Sequence, residues 1–333
     1  MLSGQLTGMD FRTRLKLGSR ASVIAEPGYW NYWGGSVAKQ DGAYYRFTGR
    51  WPESGVWWFG SEITLAGPSQ LLDGTYPILK NLTPSLSEQN WAATWVHGPM
   101  VYRFGGTWYL YYVAHGNKKT NIKETLRNRS VGVATSKHLQ GPWTPYDDNP
   151  LLAARPSHWD HYSTTNVSVF ELADGRYGML YKGRGEADGS QRIAMATSHS
   201  PLGPWKREDT PNFCPELNTL ALEDICVWIE QGMYWAAVKT FESVCGVPAS
   251  AAILLYSQSG LPNSWTINPK APIAWDTSLR FEDESAVKHY RHVEFPFVYV
   301  EDGSAAALIN GVHPGEYNQP GAMSVLRLLK PLA

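Results

Sequence analysis

Cysteine is scarce in this 333-residue chain: there are three, Cys214, Cys226 and Cys245. They show no CxxC or metal-ligand spacing, and an odd count in a chain of ordinary size argues against a disulfide framework. Charge of one sign is also lacking, since 29 Lys and Arg stand against 30 Asp and Glu for a net charge of -1. No basic face is implied, which excludes nucleic acid and an anionic membrane surface as expected partners. Nowhere does an apolar run approach the ~18 residues of a membrane span, and the opening stretch "MLSGQLTGMDFRTRLKLGSR" has no apolar core of a signal peptide. As given, the chain reads as soluble and without an export signal; a leader removed beforehand would leave the same sequence. Helical periodicity is nearly missing as well, which turns attention to strands.

Aromatic residues are abundant, with 15 Trp and 18 Tyr beside only 18% charged residues. Strand packing accounts for most such rings. The faces of sugar rings also stack on aromatics, so an oligosaccharide or another small molecule is the expected partner. Nothing in the sequence speaks to oligomeric state.

One pattern recurs: a strand, a tight turn and an aromatic-rich strand. It is seen in "GGSVAKQDGAYYRFTGRW", "HGPMVYRFGGTWYLYYVAHG", "NVSVFELADGRYGMLYKGRG", "EDICVWIEQGMYWAAVKTF" and "VEFPFVYVEDGSAAALINGV". The turn glycines Gly42, Gly106, Gly175, Gly232 and Gly303 are spaced by 64, 69, 57 and 71 residues. Glycine suits hairpin turns that need positive φ. A second marker, "VGVATSKHLQGPW", returns as "IAMATSHSPLGPW", with a weaker echo in "EITLAGPSQ". Five units of about four short strands each predict an all-β fold, a five-bladed β-propeller formed as a single domain over residues 1–333, with residues 1–25 as an N-terminal segment or closure strand. The first strand of each blade then lines the central channel: residues 29–36, 96–99, 165–168, 222–226 and 292–296.

These hairpins, the repeated "GPW" element, "GRWP" (Gly49 to Pro52) with "SEI" (Ser61 to Ile63) and "YKG" (Tyr181 to Gly183) resemble the five-bladed glycoside hydrolases, that is family 43 and the fructosidase clan. The resemblance runs from about Tyr29 to the C-terminus. It implies an acid Glu two residues before a Pro on an inner strand, which Glu294-Phe295-Pro296 matches. His97-Gly98-Pro99 places histidine in the same slot. It also implies an Asp immediately before a Pro; Asp224 takes that slot, with Ile225 where the proline would be. In blade one the motif "YWNYWGGSV" lacks the base Asp expected near Gly34.

Glycoside hydrolysis uses one protonated and one ionised carboxyl, at roughly 6.5–9.5 Å when water must fit between them. The expected pair is Glu294 as general acid and Asp224 as general base or stabiliser, on neighbouring blades. The plainer reading makes both ligands of strand-end backbone or of a cation. His97 is expected at the funnel base as an acid, a hydroxyl binder or a ligand for a metal or water. Glu223, adjacent to Asp224 in "NTLALEDICVW", is expected to point the other way, because strand side chains alternate, and to brace Lys239 or Arg192. Asn166 and Lys182 read as hydroxyl or carboxylate binders, and a funnel-facing Lys182 favours an acidic sugar. Trp30, Tyr32 and Trp33 form either an aromatic platform or a plug. Arg50 pairs with Glu62 near the rim, and Asp160 holds a turn. The three N-x-S/T sequons include Asn166, inside a strand. No cofactor is expected; a central cation such as calcium is compatible with the fold, although no oxygen-rich calcium loop is present.

The leading expectation is an exo-acting glycosidase. Two others stay open: a propeller that binds a sugar without cleaving it, and a funnel that catalyses elimination or rearrangement.

Overall fold

A computed structural model describes residues 9–116, 126–186 and 191–332. Blade one comprises β1 (Trp30–Gln40), β2 (Ala43–Pro52), β3 (Glu62–Ser69) and β4 (Ile78–Asn81). Blade two holds β5 (Trp95–Phe104), β6 (Thr107–His115), β7 (Ser130–Ser136) and β8 (Thr144–Pro145), and blade three β9 (Ser163–Glu171), β10 (Tyr177–Arg184), β11 (Gln191–Ser198) and β12 (Lys206–Arg207). Blade four holds β13 (Leu222–Glu230), β14 (Met233–Thr240), β15 (Ala252–Ser257) and β16 (Thr266–Ile267), with β17 (Ile273–Trp275) also on β15. A small hairpin of β18 (Ser278–Leu279) and β19 (Lys288–His289) precedes blade five, made of β20 (His292–Glu301), β21 (Ser304–His313) and β22 (Met323–Leu328). Every blade is an antiparallel meander, and the five form a five-bladed β-propeller.

The turn chemistry explains the hairpins. Asp41-Gly42, Gly105-Gly106, Gln231-Gly232 and Asp302-Gly303 are two-residue loops with positive φ at both positions, the type I′ geometry that matches strand twist. The third hairpin uses a longer loop, with Gly175 at φ 81°. The Gly–Pro bonds of both "GPW" elements and of the weaker echo, Gly67-Pro68, are cis.

Alternating apolar residues on each blade fill the spaces between blades, as where Phe47, Leu65, Val101 and Leu110 join blades one and two. Small hydroxyls tie neighbouring inner strands: Val101 N–H donates to Ser36 Oγ (3.0 Å) and Val227 N–H to Ser168 Oγ (2.8 Å).

Blade five has three strands, and the N-terminal segment lies against its outer edge. Ile24 bridges Ser324 and Leu15 bridges Leu329, both antiparallel. Arg14 Nη1 and Nη2 donate to the buried Glu230 (2.9 Å each), whose Oε1 also accepts from Ala305 N–H. A charge pair this deep is costly to break, because either partner alone is left buried and uncompensated.

Candidate active site

All five inner strands break register at the same depth. The shifts fall between Trp33 and Ser36, His97 and Met100, Thr165 and Ser168, Glu223 and Ile225, and Glu294 and Phe297. At each break stands a residue with positive φ: Gly34 (43°), Gly98 (64°), Asn166 (47°), Asp224 (53°) and Phe295 (51°). Asn and Asp tolerate this region better than other side chains, and glycine tolerates it freely. A bulge inserts an extra residue and re-aims the side chains beside it. That resolves the paired acids: Glu223 and Asp224 both reach the funnel, contrary to the simple alternation expected for a strand.

The funnel is a cavity of about 330 Å³. Its floor is Phe295, whose ring lies where a Cβ on Gly34 or Gly98 would come within 2.6 or 2.7 Å. Blades three to five supply the charged wall. Asp224 Oδ1 accepts from Asn166 Nδ2 (2.5 Å), and Oδ2 from the Phe295 backbone N–H (2.9 Å). Glu223 pairs with Lys182 (2.5 Å) and also accepts from Gln191 Nε2 (3.4 Å). Glu294 accepts from Lys239 Nζ, from the Tyr317 hydroxyl and from His292 Nδ1 (3.0 Å).

These surroundings push the three carboxyls apart. Burial, with Glu223 and Glu294 as neighbouring negative charges, raises Asp224 to about 7. Burial acts the same way on Glu294, but Lys239 and His292 outweigh it and hold the group well below the usual carboxylate range. Glu223 is likewise lowered, burial being overcome by Lys182 and Lys239. Near neutral pH, Asp224 is therefore the one acid of the three that is still partly protonated, between two ionised neighbours.

The opposite wall is aromatic. Trp33, Trp51, Trp57, Trp58 and Trp95 line it around His97. The His97 ring stacks on Trp57 at 5.3 Å, and its Nδ1 lies 2.6 Å from Ser61 Oγ. Burial, reinforced by Arg129 and Lys182, lowers His97 to about 3. The imidazole is neutral, which suits a hydrogen-bonding role and not that of an imidazolium acid. Gly49 and Gly311 make room for this wall, since a Cβ on them would meet His97 Nδ1 at 2.9 Å and the Trp33 ring at 2.5 Å.

Of the residues singled out from sequence, Glu294, Asp224, His97, Trp33, Asn166, Lys182 and Glu223 meet in this cavity. Three do not. Tyr32 points away into the core, its hydroxyl on Glu26 (2.5 Å), because it alternates with Trp33. Trp30 and Arg50 stack on each other at 3.9 Å outside the cavity, where Arg50 pairs with Glu62 (3.1 Å). Glu223 braces Lys182; Lys239 goes to Glu294, and Arg192 to the Asn218 carbonyl. Asp160 is fully buried and holds Arg155, Arg207 and the Tyr181 hydroxyl, a structural knot.

Sequence reasoning missed Lys239, Tyr317 and Arg129 as funnel residues, and placed His292 on a channel-lining strand without a role. One signal was available: Lys239 follows the apolar run of its strand as Lys182 does in "YKG", and both lie opposite the bulge of the preceding strand. Among the described residues no cluster of His, Cys, Asp or Glu has metal-binding geometry. The funnel carboxylates are instead compensated by ammonium and N–H groups, so the residues present do not fit a central cation.

The family model Glycosyl hydrolases family 43 matches residues 34–192. No curated protein matches the sequence. Among solved structures the chain is similar to a family 117 glycoside hydrolase of the marine bacterium Zobellia galactanivorans, at 15% identity and TM-score 0.68, covering 95% of this chain and 90% of that one. It is also similar to the α-L-arabinofuranosidase of Podospora anserina solved with cellotriose, at 12% identity and TM-score 0.62, covering 97% and 99%. An exo-1,5-α-L-arabinanase from a bovine ruminal metagenomic library shares 14% identity at TM-score 0.57, covering 94% and 98%. The family match spans just under half of the chain, and these structural likenesses, at 15% identity or less, show the shared propeller fold.

Proposed function

We propose that the protein is an exo-acting glycoside hydrolase that takes the end of an oligosaccharide into the funnel. The observation that carries this reading is the opposed tuning of adjacent carboxyls: Asp224 raised to about 7 beside Glu294 held ionised. Two titratable groups with divergent environments are the pattern of an acid and its partner. The tuning favours exchanging the roles expected from the E-x-P motif. Asp224 donates its proton to the leaving oxygen, while Glu294 activates water or stabilises positive charge on the sugar ring. A cavity near the lower end of small-ligand sites, closed below by Phe295, suits one or two sugar rings and favours chain-end cleavage.

The test is incubation with nitrophenyl glycosides and plant and algal oligosaccharides, with products read by mass spectrometry. Release of a monosaccharide from an oligosaccharide, strongly reduced in both Asp224→Asn and Glu294→Gln, supports the assignment. Full activity in both variants overturns it.

A second reading, a propeller that binds sugar without cleaving it, is favoured by Trp33 occupying the blade-one slot and by the partners that already engage all three carboxylates. Binding without release across the panel would select it.

A further inference from the structure

Two cations of the funnel are already paired with its carboxylates. Lys182 is taken by Glu223 and Lys239 by Glu294. Arg129, immediately before β7, lines the same cavity. Arg129 is only 6% exposed. Its Nε donates to the Leu126 carbonyl (3.1 Å), and its guanidinium lies 5.8 Å from the centroid of the Trp57 ring. Among the described residues no carboxylate pairs with it. Glu223, an acid that acts on it electrostatically, is already held by Lys182 and Gln191.

A guanidinium this buried is expensive without an anion, and a ring face returns only part of the cost. The planar fork of Arg matches a carboxylate or a sulfate through two parallel hydrogen bonds. The guanidinium also borders Trp57 in the aromatic wall, so an anionic substituent held there would place its sugar ring beside that wall.

We infer that the funnel selects a sugar residue bearing an anionic group, a uronate carboxylate or a sulfate ester, with Arg129 as its counter-ion. This deepens the proposed glycosidase reading and rests on the same cavity; the test separates the two by measuring binding apart from turnover.

The experiment uses Asp224→Asn protein, in which oligosaccharide turnover should be strongly slowed, and compares by calorimetry three disaccharides that differ only at one terminal ring: neutral hexose, the matching uronate, and the matching sulfate ester. Either anionic ligand should bind on the order of tenfold or more tightly over the neutral one, and the preferred member identifies the source of the charge. Adding Arg129→Gln should abolish that preference while leaving the weak affinity for the neutral sugar. Thermal melts check folding, and Arg129→Lys should restore part of the preference, since it returns the charge without the fork. Equal binding of all three sugars, or a preference that survives Arg129→Gln, overturns the inference. An anionic preference in a wild-type protein that releases no product would uphold it and count against hydrolysis alone.

Discussion

Asn166 and Asp224 occupy the same bulge position on the inner strands of adjacent blades, both with positive φ, and their side chains meet at 2.5 Å. Because Asp224 also accepts the Phe295 N–H, three blades are stitched together around the funnel floor through one carboxyl. Replacing Asn166 by Ala removes a donor that favours the ionised form. The Asp224 carboxyl should then titrate higher still, and the alkaline limb of the rate profile, set near its value of about 7 in the native protein, should move up. Stability should fall by about 1 kcal/mol from the lost hydrogen bond, with a further cost from asking Ala to adopt positive φ. An unmoved alkaline limb would show that Asp224 does not control it.

The same carboxyl sets a stability trend. Its pKa rises on folding, so the folded state binds more protons than the unfolded chain between about 4 and 7, and stability must decline as pH rises through that window. Glu223 and Glu294 act in the opposite sense: lowered on folding, they contribute stability that is lost as pH falls below the ordinary carboxylate value. The melting temperature of the native protein should therefore be lower at pH 8 than at pH 5 by on the order of several degrees, and that difference should shrink in Asp224→Asn. The same gap in both proteins would place the titration elsewhere.

The acid and its partner can be told apart by leaving group. A nitrophenolate departs with little protonic help, whereas a sugar alkoxide needs it. Asp224→Asn should lose at least about a hundredfold in kcat on an oligosaccharide and much less on a nitrophenyl glycoside. Glu294→Gln should lose similarly on both. The reverse pattern would return the acid role to Glu294.

Glu294 depends on groups that the reaction need not touch. Tyr317 donates to it and stacks on His292 at 4.1 Å. Tyr317→Phe keeps the ring and deletes the hydroxyl, so kcat should fall by about tenfold with KM and melting temperature little changed. Lys239→Met leaves a buried carboxylate without its ammonium, and should cost about 3–5 kcal/mol in a denaturant titration unless Glu294→Gln accompanies it. Recovery of stability in the double variant is the sign that the pair, and not the packing, was lost.

The funnel floor has a steric requirement. Gly98 combines φ 64° with a Phe295 ring carbon 2.7 Å from where its Cβ would stand. Gly98→Ala should destabilise by about 2–4 kcal/mol, from strain and overpacking together, as read by the denaturant midpoint. A neutral result would mean that the ring moves aside without cost.

The propeller was legible because its signals are local. A two-residue turn such as Asp302-Gly303 announces itself through the φ that only certain residues adopt, and four such turns, with a glycine in the longer loop of the third hairpin at similar spacing, imply five blades. Glu294 and Asp224 were singled out through the slots that the family resemblance implies, and both do line the funnel. The direction of Glu223 was not: it depends on a register break between β13 and β14, which pairing across strands decides and no single strand records. Nor could the sequence show that Trp30 and Arg50 satisfy each other outside the cavity, or that Lys239, Tyr317 and Arg129, far apart in the chain, converge on it. By itself, then, the sequence determined the blades, their turns and the inner strands. Which acid keeps its proton was decided only by the tertiary structure, because burial and the distance to neighbouring charges exist only once the blades close around the axis.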